Sequence, residues 1–391
     1  MINNIIEIVS NISYFEERVI SITIFLIILF VFTILIRKAN NYKKIKKYLI
    51  AYIICLSIMG FLFIPAPAHD LYRLFVDMHK FDNLSWGEFL SSLFSSIRYT
   101  RNFLYFLVVN LNHDGFLAMF AALIYYSNVF YIIYDYSKDN NIESKAVSKT
   151  LFLYMIAGQF GDVVAGIRSF CAFSICALCI YREMYKGKSV INDLVLYFLA
   201  IGMHSVSIPI ILIRAIFLIF QKEKVIYKKI VNIILFIIIT LIGLKFGETI
   251  IQEAFAKGAS YINVGEAVSW LFWNKIGCWI MMLIIIVMLF NLKYNYKTNF
   301  NVKNYKLITL FFIVFELVFA FIEDNIFYRF SMLMFTLFLP YSLNYYNSIP
   351  SHKSKYHLYI NEVLIYLLEF SLIIVEFSRG TLCGIKFFEI I

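Results

Sequence analysis

The chain has 391 residues, 61% of them hydrophobic and only 15% charged, with a mean hydropathy of +0.78. Soluble domains carry roughly a quarter charged residues, so this composition excludes an ordinary soluble protein and predicts one all-α polytopic membrane bundle over residues 1–391. The net charge of +10 does not imply a nucleic-acid partner, because most Lys and Arg stand in short loops between apolar runs, where they orient a membrane protein.

Residues 1–18 are mildly acidic and amphipathic. Residues 20–36 are apolar and long enough to span. They do not read as a cleaved signal peptide, since the leading flank lacks positive charge and no small-residue cleavage site follows. The loop Arg37-Lys-Ala-Asn-Asn-Tyr-Lys-Lys-Ile-Lys-Lys47 carries six positive charges and no negative one. The positive-inside rule places it in the cytoplasm and the N-terminus outside. Residues 48–64 cross outward. An external segment then begins with Pro65, carries His69, Asp70 and Arg73, and runs to about His113. Within it, Ser85 and Glu88 have capping-box spacing and open a predicted surface helix to about Arg98, with Trp86, Phe89, Leu90 and Phe94 on one side. A second amphipathic piece over 102–110 follows Arg98 and Arg101. Asp114 reads as the N-cap of the next helix.

Residues 115–134 cross inward and 135–149 form a polar cytoplasmic loop. Two apolar segments follow, over 151–180 and 190–220, with basic flanks before, between and after them. Each therefore enters and leaves on the same side. About 31 residues give roughly 46 Å of helix, whereas two full crossings need about 40 residues. Each segment is predicted to be a compressed or re-entrant hairpin. The tips fall near Gly158 to Asp162 and near Gly202 to His204. A polar tip at that depth must be buried in protein or line a wet cavity.

Residues 231–246 cross outward, 247–269 form an external loop, 271–292 return and 293–306 are basic and cytoplasmic. Residues 307–322 go out, a tight external turn spans Glu323 to Arg329, 330–343 return, 351–355 lie inside and 360–376 exit. The count is about ten to twelve passages with both termini outside. Six cysteines give no disulfide framework. Cys176 and Cys179 instead join Ser169 and Ala172 in a small-residue stripe at i, i+3, i+7 and i+10, a pattern of close helix packing.

This topology sorts the unusual polar residues. His69, Asp70, Arg73, Arg98, Arg101, His113, Asp114, Asp162, Arg168, His204, Asp324 and Arg329 all fall at or just below the external face. A transporter would be expected to hold its binding residues near the midplane. Arg168 in Val164-Ala-Gly-Ile-Arg168 and His204 in Gly202-Met-His204 stand near the middle of apolar segments, where an ionisable residue is by default a functional hypothesis.

The pieces His69-Asp70-Leu-Tyr-Arg73, Gly166-Ile-Arg168 opening a small-residue helix, Met203-His204-Ser205 and Tyr328-Arg329-Phe330 resemble the Wzy-type oligosaccharide-repeat polymerases, in particular their EpsG-like branch. The resemblance runs from about residue 65 to 330. It implies an inverting, GT-C-like membrane glycosyltransferase. Such an enzyme joins oligosaccharide repeats carried on undecaprenyl diphosphate at the outer face of the bacterial plasma membrane, for O-antigen, capsule or exopolysaccharide. Its partners would be lipid-linked donor and acceptor, membrane lipid, a chain-length regulator and a flippase. The external loop after the second span is modest and no large late periplasmic loop is present, so loop-borne catalytic residues do not carry over.

The residue types suit that chemistry. An arginine fork binds phosphate bidentately and stays charged at any working pH. Arg168 first and Arg329 second are candidates to stabilise a departing diphosphate without a metal or other cofactor. His204 and Asp70 are the candidate bases or orienting acceptors for the acceptor hydroxyl. Arg73, Arg98, Arg101, Arg214 and Asp324 complete the candidate substrate-binding set. Plainer roles are open to each. Arg168 can snorkel or pair with a carboxylate, and His204 can be a hydrogen-bonded packing residue. Asp70 with Arg73 can be a local surface pair, Arg98 and Arg101 can anchor an interfacial helix to headgroups, Arg214 can reach the cytoplasmic headgroups, and Asp324 can neutralise Arg329. Among other functions, a lipid-linked oligosaccharide flippase would need a cavity opening to both sides. A polysaccharide ligase shares the arginine logic. A membrane O-acyltransferase needs a histidine on the cytoplasmic or tunnel side, and a purely structural partner needs no Arg168.

Overall fold

The computed structural model describes residues 14–65, 70–158, 160–188, 190–219, 268–291, 300–321, 324–348 and 356–383, together with residues 230, 233, 234 and 237. Among these every element is helical, as the composition predicts. His69, Gln159, most of the crossing expected over 231–246, most of the loop expected over 247–269, the first half of the basic loop expected over 293–306 and the loop over 351–355 lie outside the described residues; where 268–269 and 300–306 are described they are helical, not loop. Three described helices are long and apolar enough to cross a membrane: Val19–Arg37, Gly115–Asp139 and Trp273–Phe290.

The first two helices show the membrane pattern directly. Helix α1 (Tyr14–Arg37) turns at Lys38 into α2 (Tyr42–Phe61), which Asn41 caps by accepting from the Lys44 N–H at 2.9 Å. On α2, Leu49, Tyr52, Leu56 and Met59 are buried, while Ile50, Ile54 and Ile58 at i, i+4 and i+8 are exposed. A helix apolar on both faces belongs in a hydrophobic surround, since in water the outer stripe would be polar. Gly60 lets α2 come close to α6 (Gly115–Asp139): a Cβ there would lie 2.8 Å from the Ala118 carbonyl.

Between α2 and α6 sits a layer of short helices, α3 (Asp70–Met78), α4 (Trp86–Ser92) and α5 (Tyr99–Asn110). The capping box is present, with Glu88 accepting from the Ser85 N–H at 2.9 Å and Ser85 accepting from the Glu88 N–H. The helix it opens is shorter than predicted, ending at Ser92 rather than Arg98. Ser91, Ser92 and Ser95 each donate back to the carbonyl three residues earlier, and such bonds compete with the helix ladder. Phe89 alone of α4 is buried, its ring stacked on Phe106 at 4.1 Å. At the start of α6 the capping is done by His113, whose Nδ1 accepts from the Gly115 N–H at 3.1 Å. Asp114 occupies the N-cap position but makes no capping bond, and its carboxylate takes His79 Nε2 at 3.2 Å.

Both central segments are hairpins, as their length and flanks predict. Helix α7 (Ser144–Ala157) climbs from the basic end, the chain breaks at Gly158, α8 (Phe160–Ala165) makes a short step, and α9 (Ile167–Ile180) descends. It returns to the end it left. There Tyr181 donates to Asp135 at 2.9 Å, Lys186 pairs with Asp135 at 3.0 Å, and the Ser144 hydroxyl donates to the Ala39 carbonyl at 2.5 Å. The expected basic turn between the hairpins is itself helical in its first half, a π-helical turn over Tyr181–Tyr185. Helix α10 (Leu194–Met203) climbs again and α11 (Ser207–Ile219) descends, with the break at His204. The stripe Ser169, Ala172, Cys176 and Cys179 is fully inside, and both cysteines are free thiols. It packs, as its spacing predicts.

Helices α12 (Val268–Asn291), α13 (Phe300–Phe319), α14 (Asp324–Ser348) and α15 (Tyr356–Cys383) complete the described bundle. The tight turn expected over Glu323 to Arg329 is not there, because α14 already begins at Asp324. Phe327, Phe330, Ser331 and Met334 are buried at i, i+3, i+4 and i+7, so the helical core stripe continues through Arg329. A chain of hydroxyls ties three helices at the centre: Tyr125 to Tyr154 at 2.5 Å and Tyr154 to Thr336 at 2.8 Å.

Candidate functional site

The two hairpin tips meet the short-helix layer at the end of the bundle opposite the basic turns. At the first tip the Gly166 N–H donates to the Asp162 carbonyl at 2.6 Å, which closes α8 and aims the start of α9. Gly166 admits no side chain, since a Cβ would lie 2.4 Å from the Phe170 ring. Arg168 therefore sits in the first turn of α9, half-buried. At the second tip a Cβ on Gly202 would lie 2.3 Å from both Thr100 Oγ1 and the Tyr99 ring. The missing side chain is what allows α10 to seat on the first turn of α5. Tyr99 fixes the contact by donating to the Phe198 carbonyl at 2.6 Å and stacking on Phe198 at 4.2 Å.

Three arginines gather there. Arg101, the residue after Thr100, is buried, and its guanidinium lies 5.2 Å from the centre of the Tyr105 ring. It donates to Asn102 at 3.1 Å, but its buried Nε has no hydrogen-bond partner. Desolvation is the first cause that pulls the Arg101 guanidinium below its usual range; the charges of Arg98 and Arg168 pull the same way, against Tyr105 and Asp77. The Tyr105 hydroxyl responds to the same three arginines and is also buried without a partner. Asp77 is itself paired with Lys80 at 2.6 Å. Like charges in a partly desolvated place, with open donors, make a site suited to an anion.

His204 is two residues beyond Gly202, with an extended backbone that ends α10. Its Nδ1 accepts from the Val206 N–H at 3.0 Å. A backbone N–H can only donate, so a neutral ring in this geometry carries its proton on Nε2. In that form the ring is uncharged and holds the second tip through its own backbone.

The remaining sequence candidates fall in different places. Asp70 and Arg73 pair at 3.0 Å across one turn of α3, with 39% and 69% of their side chains exposed. The pair is local to α3, the helix that packs against α8 at the first tip. Arg329 is half-buried on α14 between Tyr328, whose ring meets Phe170 at 6.1 Å, and Phe330, which meets Phe173 at 5.2 Å. It thus stands beside α9 near the first tip. Asp324 opens the same helix. Arg214 is a correction. It is fully buried on the descending α11, its Nε donating to Glu183 Oε2 at 2.5 Å, and Tyr197 donates to the same oxygen at 2.9 Å. Its charge is matched by a carboxylate on the π-helical turn, away from the tips, so it binds no substrate there.

Sequence reasoning missed Tyr99, Thr100 and Tyr105 as parts of the site, and placed Gly202 only as part of the second tip. One signal was available: Arg101 and Tyr105 are four apart and Arg98 three before, so all three share one face of a helix. Nothing in the sequence placed that face against Arg168. Comparison with protein-family models, with curated proteins and with solved structures finds no match.

Proposed function

We propose that the chain is a polytopic membrane glycosyltransferase, a polymerase that joins undecaprenyl-diphosphate-linked oligosaccharide repeats at the outer face of the plasma membrane with inversion at the anomeric carbon. The observation that supports this best is the gathering of Arg98, Arg101 and Arg168 around the buried Arg101 Nε and Tyr105 hydroxyl, which lack partners. A diphosphate leaving group is what such a set suits.

In this reading the acceptor hydroxyl attacks the donor's anomeric carbon from the side opposite the diphosphate. The new glycosidic C–O bond forms as the sugar–phosphate C–O bond breaks, and the electron pair leaves with the diphosphate oxygen. The hydroxyl proton passes to Asp70 or to water. Arginine donors already in place meet the growing negative charge without reorganising, where they are worth most. Arg168 supplies the fork at the first tip, Arg101 and Arg98 supply the flank, and His204 donates through Nε2. Arg329 and Arg73 guide the lipid-linked phosphates toward them.

The test is repeat-unit transfer in membranes that hold purified lipid-linked donor and acceptor. Arg168→Ala and Arg168→Lys are both expected to lower transfer by about 10²–10³-fold, the scale for losing one preorganised donor, while the protein still accumulates. Lysine keeps the charge but loses the fork. Full activity in Arg168→Lys overturns the bidentate role, and full activity in Arg168→Ala overturns the reading as a whole.

A further inference from the structure

A second place on the molecule has the features of a binding site, and it lies at the basic end, away from the arginine tips. A cavity of about 340 Å³ opens where α1, α7 and α15 meet. That volume is at the lower end of small-molecule pockets, roughly 300–1,000 Å³. We propose that it binds one anionic glycerophospholipid of the surrounding bilayer, with the phosphate between Arg37 and Lys145.

The argument is the order of side chains along two helices. Phe30, Thr33 and Arg37 line the cavity from α1 at i, i+3 and i+7, and Phe152, Ser148 and Lys145 line it from α7 at the same spacing. These spacings place each trio on one helix face. The helices run in opposite directions, so the two trios match level by level: cation at the helix end, hydroxyl one turn in, aromatic ring a second turn in. The Ser148 hydroxyl donates to the Thr33 carbonyl at 3.0 Å, and the Phe30 and Phe152 rings meet at 5.4 Å, which fixes the register. A glycerophospholipid has the same order of phosphate, ester and glycerol oxygens, and acyl chain.

The Ser148 hydroxyl is taken up by its bond to Thr33, and the other polar groups of the cavity divide into matched and unmatched. Lys149 is matched by Glu362 at 3.5 Å and by the Tyr366 hydroxyl, and the Glu369 carboxylate on the cavity wall takes the Tyr346 hydroxyl. Among the described residues Arg37 and Lys145 have no such partner. Thr33 Oγ1 is buried with no hydrogen bond. In a helix it would ordinarily return to a carbonyl of the preceding turn, and here it offers a donor at the ester level. Phe30 and the neighbouring Ile34 are 46% and 49% exposed on the outer face of α1, so an acyl chain leaving the cavity continues along an apolar surface. Basic pockets between membrane helices hold anionic headgroups by this combination of charge and groove.

The experiment is native mass spectrometry of the full chain, released from detergent with equal amounts of phosphatidylglycerol and phosphatidylcholine. The wild type is expected to retain phosphatidylglycerol about tenfold or more over phosphatidylcholine. Arg37→Gln combined with Lys145→Gln should abolish that preference. Lys43→Gln combined with Lys47→Gln removes the same charge from outside the cavity and should leave it. Thr33→Val, a near-isosteric change that tests the hydroxyl level, should weaken it in part. Equal retention of both lipids by the wild type, persistence of the preference in the first pair, or equal loss in the control pair would overturn the proposal. Displacement of phosphatidylglycerol by equimolar undecaprenyl phosphate would also overturn it, because the occupant would then be the polyprenyl carrier.

Discussion

Arg214 and Arg168 are both arginines in apolar hairpins, yet their surroundings give them opposite roles. Arg214 is fully enclosed and its charge meets Glu183, which Tyr197 also satisfies. Removing one member of a buried pair leaves the other charge without compensation, at a cost of about 3–5 kcal/mol, whereas replacing the pair by apolar residues of like volume can be near neutral. Arg214→Met should therefore sharply lower the thermal midpoint of the purified protein. Arg214→Met with Glu183→Gln should recover most of that loss, as read by intrinsic fluorescence on heating, and should keep transfer activity. A double variant that folds but has lost transfer would return Arg214 to the substrate set. The sequence places Arg214 ten residues past His204 and Glu183 across a turn, so nothing in their spacing announces the pair. Arg168 instead acts on Arg101 and Tyr105 together with Arg98, as one of a group of like charges.

At the scale of elements, the two hairpins were legible and the short helices only in part. Their lengths between basic flanks were too short for two crossings and too long for one, and that arithmetic alone forces a turn. The glycines then show where each break falls. The end of α4 was not legible, because serine side chains return to the backbone in a run that otherwise has helical spacing. The start of α14 was misread as a turn because acidic and basic residues cluster there, while the buried stripe beginning at Phe327 carries the helix through. The seat of α10 on α5 makes its own prediction. Gly202→Ala puts a methyl group 2.3 Å from the Tyr99 ring and Thr100 Oγ1, and that ring is held by its bond to the Phe198 carbonyl and its stacking on Phe198. The second tip should lift from α5, with faster amide exchange over 99–102 and a loss of transfer of at least tenfold. Gly87→Ala, where a Cβ meets nothing within 4 Å, should be neutral or slightly stabilising, since alanine favours a helix by up to about 1 kcal/mol.

At the scale of the whole molecule, polar chemistry is divided between two ends. One end gathers Arg98, Arg101, Arg168 and His204 under the short helices. The other gathers the loop from Arg37 to Lys47 and the Lys186 contacts with Asp135 and Asp139. Between them the outer surface is apolar, from Ile27 and Ile34 on α1 to Leu367 and Phe370 on α15. The basic end follows the cytoplasmic rule for short loops, and on that rule the arginine tips face outward, where lipid-linked repeats would be joined. The orientation can be measured without reference to the chemistry. Single cysteines are introduced at Asn41, the exposed cap of α2, and at Asn83, exposed in the layer of short helices. The native thiols are a common background, so each variant is read against the parent chain. With an impermeant thiol reagent on intact cells or spheroplasts, Asn83→Cys should label and Asn41→Cys should not until the membrane is opened. Labelling of Asn41→Cys from outside would invert the molecule. The arginine tips would then face the cytoplasm, and joining of repeats at the outer face would be impossible for this site even with every residue contact intact.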